Sequence, residues 1–382
     1  MNRYKVYYSK DRVAEAKDRI NAAFEFRETD RVPFIYNIYH PEYGKVFYRE
    51  GMAEDMEKTL QIRTDVLNYQ FKAFPDCDRI PVFNQYEMGE GIIPTMFGAK
   101  QRVVKDSPPW TENRVIKDIE ADLPKLKKIV DPYKDGWLPE CLRRLKFFVE
   151  ATEGEVYIQY LDHQSPFGLA SKLMEGTELI YAMYDYPELV SELLSIITDA
   201  IIETVKAQQQ TIREAGFNPQ DILVGCPYHH DENPHFIIWD DFISVINPEL
   251  YEKFCKGHNE RLFEMFGAGH FHTCGPLLDR PVDAINNTKG SRSIDIRFMK
   301  GGGRTRQDLL DVKEKVINKQ VMIGGLTEMQ KNIPLAGSMA DEYKKIDRGL
   351  IDRMNTCGGF IWIEEGSSVE EGKFLKKLSI KR

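Results

Sequence analysis

In the second half of this chain, short apolar runs alternate with longer amphipathic stretches, and this alternation constrains the fold more than any other feature. Apolar runs are expected to form strands at residues 155–161, 221–225, 269–273, 320–323 and 358–363. Between them the spacing turns helical. The stretch 176–215 shows it best, with Leu179, Ile180, Met183, Leu189, Leu193, Leu194, Ile197 and Ile201 on a helical period. Helices are expected also over 9–28, 53–75, 135–152, 248–266, 306–318 and 339–356. A further strand at Phe34-Ile35-Tyr36 follows the turn 29–33. Strands separated by helices cannot pair as hairpins. They run parallel, joined by crossovers, and the choice narrows to an open doubly wound sheet or a closed barrel.

The ends of the strands favour the barrel. Asp162-His163 follows the run 155–161, and residues 226–230, with Cys226, His229 and His230, follow 221–225. His272, Thr273 and Cys274 close the run that starts at Gly269, and Glu364-Glu365 follows 358–363. An α/β barrel assembles its site from the carboxyl ends of several strands. The expected fold is therefore a single (β/α)8 TIM barrel spanning residues 1–382, with N-terminal and loop elaborations. A barrel of this kind needs only ~250 residues, so residues 1–110 are expected to contribute to the barrel mouth.

Other classes are excluded more simply. There is no G-x-x-x-x-G-K-[ST] phosphate loop, and Gly301-Gly302-Gly303 lacks the spacing of a dinucleotide turn. Lys and Arg total 52 against 60 for Asp and Glu, a net charge of -8 that argues against a nucleic-acid partner. The N-terminal stretch is polar, without the apolar core of a signal peptide. No run approaches the ~18 apolar residues of a membrane span. Six scattered cysteines are too few for a disulfide scaffold. The expected location is cytoplasmic, with no membrane partner.

His272-Thr273-Cys274 is the sharpest local signal. Residues i and i+2 of an extended segment face one side, and an imidazole beside a thiolate is the start of a zinc site. A catalytic zinc takes about three protein ligands and keeps one position open. Cys357 lies before Gly358-Gly359, at the wrong end of the last strand, and reads as a small buried side chain. Glu364 and Glu365 lie at the correct end, and one of them is the expected third ligand. Asp162, His163 and His230 are the candidate groups for holding or moving a proton at the substrate. The segment 81–98 is rich in aromatic residues, glycine and methionine. Within it, Phe83, Asn84, Tyr86 and Met88 are candidates to wall a substrate.

Several further motifs occur in a characteristic order. They are the segment 29–34 (Thr-Asp-Arg-Val-Pro-Phe), the segment 165–170 (Ser-Pro-Phe-Gly-Leu-Ala), Gly176-Thr177-Glu178 and Tyr186-Pro187-Glu188. The segment 246–251 (Ile-Asn-Pro-Glu-Leu-Tyr), His272 to Gly275, Ile323 to Leu326, and Gly358 to Ile361 complete the set. Together they resemble the uroporphyrinogen decarboxylase superfamily, and within it the zinc-dependent corrinoid methyltransferases of the O-demethylase type. The resemblance implies one (β/α)8 barrel. Decarboxylase members hold propionates with clustered arginines near the start. Here Arg31 is followed by Val-Pro-Phe-Ile-Tyr-Asn-Ile-Tyr-His, and the further arginines are missing. Methyltransferase members pair a His-x-Cys with a distant cysteine. His272 and Cys274 match that pair, but the aligned distal region reads Glu364-Glu365-Gly366-Ser367-Ser368.

A carboxylate in place of a thiolate makes the zinc harder and a better Lewis acid toward oxygen. The implied reaction moves a methyl group from a methoxylated, aromatic small molecule to the Co(I) corrinoid carried by a partner protein. Zn²⁺ and a corrinoid are the implied cofactors. A corrinoid-binding protein is the implied partner, and a homodimer is compatible with the sequence. Three alternatives remain open. One is methyl transfer from a methylcobamide to a thiol such as coenzyme M, and another is decarboxylation of a tetrapyrrole acid. The third is ligand binding without catalysis.

Overall fold

The strands form where the apolar runs are shortest and best bounded by turns. A computed structural model describes residues 4–45, 48, 50–105, 107–225, 236–273, 279–296, 320–325 and 348–381. In chain order its strands are β1 (Phe34–Ile38), β2 (Val82–Phe83), β3 (Gln101–Val104), β4 (Ser107–Thr111), β5 (Tyr157–Gln159) and β6 (Leu223–Val224). They continue with β7 (Phe236–Trp239), β8 (Gly269–His272), β9 (Ser291–Ile296), β10 (Val321–Gly324) and β11 (Phe360–Gly366). Six pair in parallel in the order β1-β11-β10-β9-β8-β7, so the first strand of the chain lies against the last. Three more, β2-β5-β6, form a second parallel sheet. β3 and β4 make a separate antiparallel hairpin.

Helices sit between the strands as the periodicity requires. Lys10–Phe24, Met56–Ala73, Leu138–Ala151 and Lys256–Phe266 are close to the expected ranges. The long helical stretch 176–215 is two helices, Gly176–Asp185 and Pro187–Glu214. Proline supplies no N–H and pushes the residue before it out of the α region. Tyr186 accordingly sits at φ -137, ψ 54, and the helix restarts with Pro187 at its first position. The segment 107–110, a proline-rich punctuation in sequence, is instead β4. Its prolines lie where the β3–β4 register shifts, and an isolated hairpin places little demand on their missing donors. The helix expected over 306–318 lies outside the described residues.

Within the six-stranded sheet, two strands have no counterpart among the expected ones. β7 reads Phe-Ile-Ile-Trp and is buried throughout. β9 reads Ser-Arg-Ser-Ile-Asp-Ile, which has no apolar run to announce it. Its alternation is the signal: Ser291, Ser293 and Asp295 share one side, with Ile294 on the other.

One continuous core joins these elements, and the helix Pro187–Glu214 buries Leu193, Leu194, Ile197 and Ile201 in it. Gly269 marks how tightly the helix Lys256–Phe266 packs on β8. A Cβ there would fall 1.6 Å from the ring of Phe263. Asp78 ties the N-terminal helix to β1 by accepting from Arg19 at 2.6 Å, from both terminal nitrogens of Arg31, and from Phe34 N at 2.8 Å. Cys77, Cys141 and Cys255 are buried free thiols; Cys357 ends a helix just before β11, at the expected end of that strand, but is half-buried rather than buried. No helix of the described residues is long and apolar enough to cross a membrane.

Candidate metal centre

The site grows from the register of β8 against β9. An irregularity between Gly269 and His270 sets His270 opposite Ser293. The i, i+2 rule then puts His270 and His272 on one side of β8, facing Ser293 and Asp295 of β9. His270 Nε2 lies 2.9 Å from Asp295 Oδ1, and His270 Nδ1 lies 2.9 Å from Ser293 Oγ. His272 Nδ1 bonds the other oxygen, Asp295 Oδ2. Both oxygens of one buried carboxylate are thus engaged by two imidazoles.

The chemistry of the pair fixes the proton positions. Burial alone would raise the Asp295 carboxyl, but the two imidazoles hold it well below the usual carboxylate range. An ionised carboxylate can only accept, so the ring nitrogens facing it carry protons. The other nitrogen of His270 is engaged by the Ser293 hydroxyl. His272, protonated on Nδ1, would meet a metal or a substrate atom at Nε2. Ligand atoms of His270, His272 and Asp295 all lie within 4.8 Å of one another. Imidazole nitrogen with carboxylate oxygen is a donor set that suits Zn²⁺. Of the three, the sequence singled out His272 alone; His270 and Asp295 were not among the expected ligands.

A cavity of about 270 Å³ opens on this group. That lies near the small end of ligand pockets, which run ~300–1,000 Å³. His270, His272 and Asp295 line it, as do both expected carboxylates, Glu364 and Glu365. Glu365 follows the inward parity of β11, paired with Asn37, and is held by Lys45. Glu364 is buried and accepts from Trp362 Nε1 at 2.7 Å. Neither glutamate belongs to the compact group of described residues within ligand distance. Cys274 and His230 lie outside the described residues.

The remaining candidates divide. Phe83, Asn84 and Tyr86 line the cavity, together with Trp239, while Met88 is buried elsewhere in the core. Asp162 follows β5 and accepts from Gln164 Nε2 at 2.7 Å. Gln164 adopts φ 54, an unusual left-handed conformation for a non-glycine residue, which turns the chain back on Asp162. Burial pushes the Asp162 carboxyl up to about 7; Gln164 and Lys172 oppose this and Glu90 reinforces it. At neutral pH it is poised to take or give a proton. His163 is placed differently. It stacks on Phe236 at 5.1 Å between ring centres, is buried, and has no hydrogen-bond partner on either nitrogen among the described residues. Burial pushes it down to about 3, so it is neutral, and it does not line the cavity.

Residues 15–212, just over half of the chain, match the family model described as uroporphyrinogen decarboxylase (URO-D). Among solved structures the chain is similar to a methyltransferase from Methanosarcina mazei. The TM-score is 0.63 at 15% identity, covering 95% of this chain and 98% of that one. No curated protein sequence matches the chain.

Proposed function

The chain belongs to the uroporphyrinogen decarboxylase family, and from that premise we propose that it is a zinc-dependent methyltransferase. Its substrate is a small methoxylated, aromatic molecule, and its acceptor is the Co(I) corrinoid of a partner protein that docks over the cavity mouth. We read the two parallel sheets as arcs of one (β/α)8 barrel, with β1 against β11 as one join. The site then lies at the carboxyl ends of the strands, where barrel enzymes keep their chemistry. The methyltransferase structure of the same architecture supports the reaction class.

The observation that carries this reading is the meeting of His272, Asp295 and His270 with an aromatic-walled cavity. Zinc, when bound, supplies a Lewis acid for the ether oxygen. His272 would hold it through Nε2, with Asp295 fixing the ring and its tautomer. Cys274, two residues on from His272, and Glu364 or Glu365 would complete the set. Phe83, Tyr86 and Trp239 hold the ring of the substrate. Asp162, which lies near enough to His272 to interact with it electrostatically but does not itself line the cavity, would hold or supply the proton of the leaving oxygen.

The arginine geometry disfavours tetrapyrrole decarboxylation. Arg31, the one arginine kept at the family's N-terminal position, is buried against Asp78 and does not line the cavity. Arg63 and Arg79 do line it, but Arg63 pairs with Glu87 at 3.3 Å, and Arg79 donates to Tyr36 O at 2.6 Å and to Asn37 Oδ1 at 3.0 Å. The test is anaerobic methylation of a reduced corrinoid by a panel of methoxyarenes, with metal analysis of the same preparations. Corrinoid methylation that depends on bound zinc supports the proposal. Zinc-free protein of full activity, or no methylation by any ether, overturns it.

A further inference from the structure

The turn at the carboxyl end of β1 is built around one imidazole. Tyr39 N donates to Gly366 O at 2.8 Å, which fixes the start of the turn on β11. His40 and Gly44 close it with two backbone bonds, His40 N to Gly44 O at 3.1 Å and Gly44 N to His40 O at 2.7 Å. Inside the turn, His40 Nδ1 accepts from Glu42 N and from Tyr43 N, each at 3.2 Å. The ring stacks on Tyr43, 4.5 Å between ring centres, and lies 5.1 Å from Tyr69 of the helix Met56–Ala73, nearly perpendicular to it. Tyr43 donates its hydroxyl to Asp65 of the same helix at 3.3 Å. The turn brings Tyr39, Gly44 and Lys45 to the cavity, and Lys45 bonds the Glu365 carboxylate there.

An imidazole nitrogen that accepts carries no proton, so the His40 ring is neutral in this arrangement, with its proton on Nε2. The charged ring has a donor on each nitrogen and can accept nothing. Protonation would set an N–H against two backbone N–H groups, and both bonds would be lost. The titratable groups around the ring are Tyr43, Tyr69, Glu42 and, behind Tyr43, Asp65. Aromatic faces and carboxylates favour a charged ring, and the two accepted bonds oppose it. We propose that His40 is a pH-operated latch at the cavity mouth. Neutral, it holds the turn 39–45 and so places Lys45 on Glu365; charged, it releases the turn and Lys45 with it. Tyr39 stays in place, because its own backbone is pinned to β11. His40 is a positioning residue: it does not line the cavity and acts through Lys45. The consequence is a cavity mouth that gives up one ammonium group under mild acid, where imidazoles ordinarily charge.

The test is hydrogen exchange of the full-length protein at about pH 8 and about pH 5, which bracket the ordinary imidazole range. Mass spectrometry follows peptides spanning 39–45, with rates corrected for the intrinsic pH dependence of exchange. In the unaltered protein, protection of the Glu42 and Tyr43 amides should fall ~10-fold on acidification. His40→Asn puts a side-chain oxygen where Nδ1 stands, as in an Asx turn, and that oxygen does not titrate. Its protection should change by less than ~2-fold between the two pH values. His40→Ala should be as weakly protected at the higher pH as the unaltered protein is at the lower. The position of Lys45 is read separately, at the higher pH, from the rate at which an N-hydroxysuccinimide ester acylates each lysine. Lys45 should react ~3-fold faster in His40→Ala and at the unaltered rate in His40→Asn, with the other lysines unchanged. Equal protection of the unaltered protein at both pH values overturns the latch, as does a pH response that survives in His40→Asn. Equal Lys45 reactivity in all three proteins overturns its link to the cavity. Should His40→Ala fail to fold, the pH response of the unaltered protein against that of His40→Asn decides.

Discussion

Two pairs of neighbouring parallel strands face the same cavity, and they treat their polar groups in opposite ways. On β8 and β9, Ser293, His270, Asp295 and His272 are linked in one continuous chain of hydrogen bonds. Just after β2 and on β5, Asn84 and Gln159 each have an oxygen without a partner among the described residues. The first arrangement is preorganised: it fixes a tautomer and a ring orientation before anything binds. The second is incomplete, and each buried acceptor without a partner costs stability. A metal site calls for the first kind of wall.

The largest effect should come from the β8–β9 side. His272→Ala removes the ring that Asp295 orients. Metal content measured by elemental analysis should fall to background, and corrinoid methylation with it. Unchanged metal content would move the centre elsewhere. Asp295→Asn keeps the shape but can no longer accept from both rings as a charge. Zinc affinity should fall ~10–100-fold, as when the outer partner of a ligating histidine is lost, and competitive chelation would read it. Ser293→Ala, one bond further out, should weaken zinc much less. A loss as large as that of Asp295→Asn would show that the chain is not ordered as proposed.

His163 lies outside both walls and probes burial alone. Its buried ring sits at about 3 against an ordinary value near 6.5. A base whose folded value is depressed contributes full stability above pH ~6.5 and loses it as the pH falls toward 3. His163→Phe removes this liability. Between pH 8 and pH 5 its unfolding free energy should improve relative to the unaltered protein by on the order of 2 kcal/mol. Parallel denaturation curves at the two pH values would refute this if the gap stays constant. The smallest effect belongs to the β5 side: Gln159→Met should change stability without ligand by no more than ~1 kcal/mol in urea melts. It loses one hydrogen bond to Gly225 but also an unsatisfied buried oxygen. A much larger loss would mean that the amide is structural.

Much of this was legible from the chain. The strand-helix alternation predicts parallel sheets, and Tyr186-Pro187 marks a helix restart once proline is weighed properly. His272 and the two glutamates of β11 stand out because they end strands. His163 stood out for the same reason, yet its side chain turned into an aromatic stack. Asp295 escaped notice because its strand is polar, and a strand whose inward face is served by histidines needs no apolar run.

The sequence by itself determined which residues share a face, because the period of two in a strand and 3.6 in a helix is a local property of the backbone. It therefore determined that His270 and His272 point together. Which groups they meet was decided only in three dimensions. Asp295 reaches them through a register that shifts by one step at Gly269, where Phe263 occupies the space a side chain would need. Phe83 meets Ile158 across 74 intervening residues by the pairing of β2 with β5. Strand adjacency and register are set by packing between distant segments, and no local pattern encodes them.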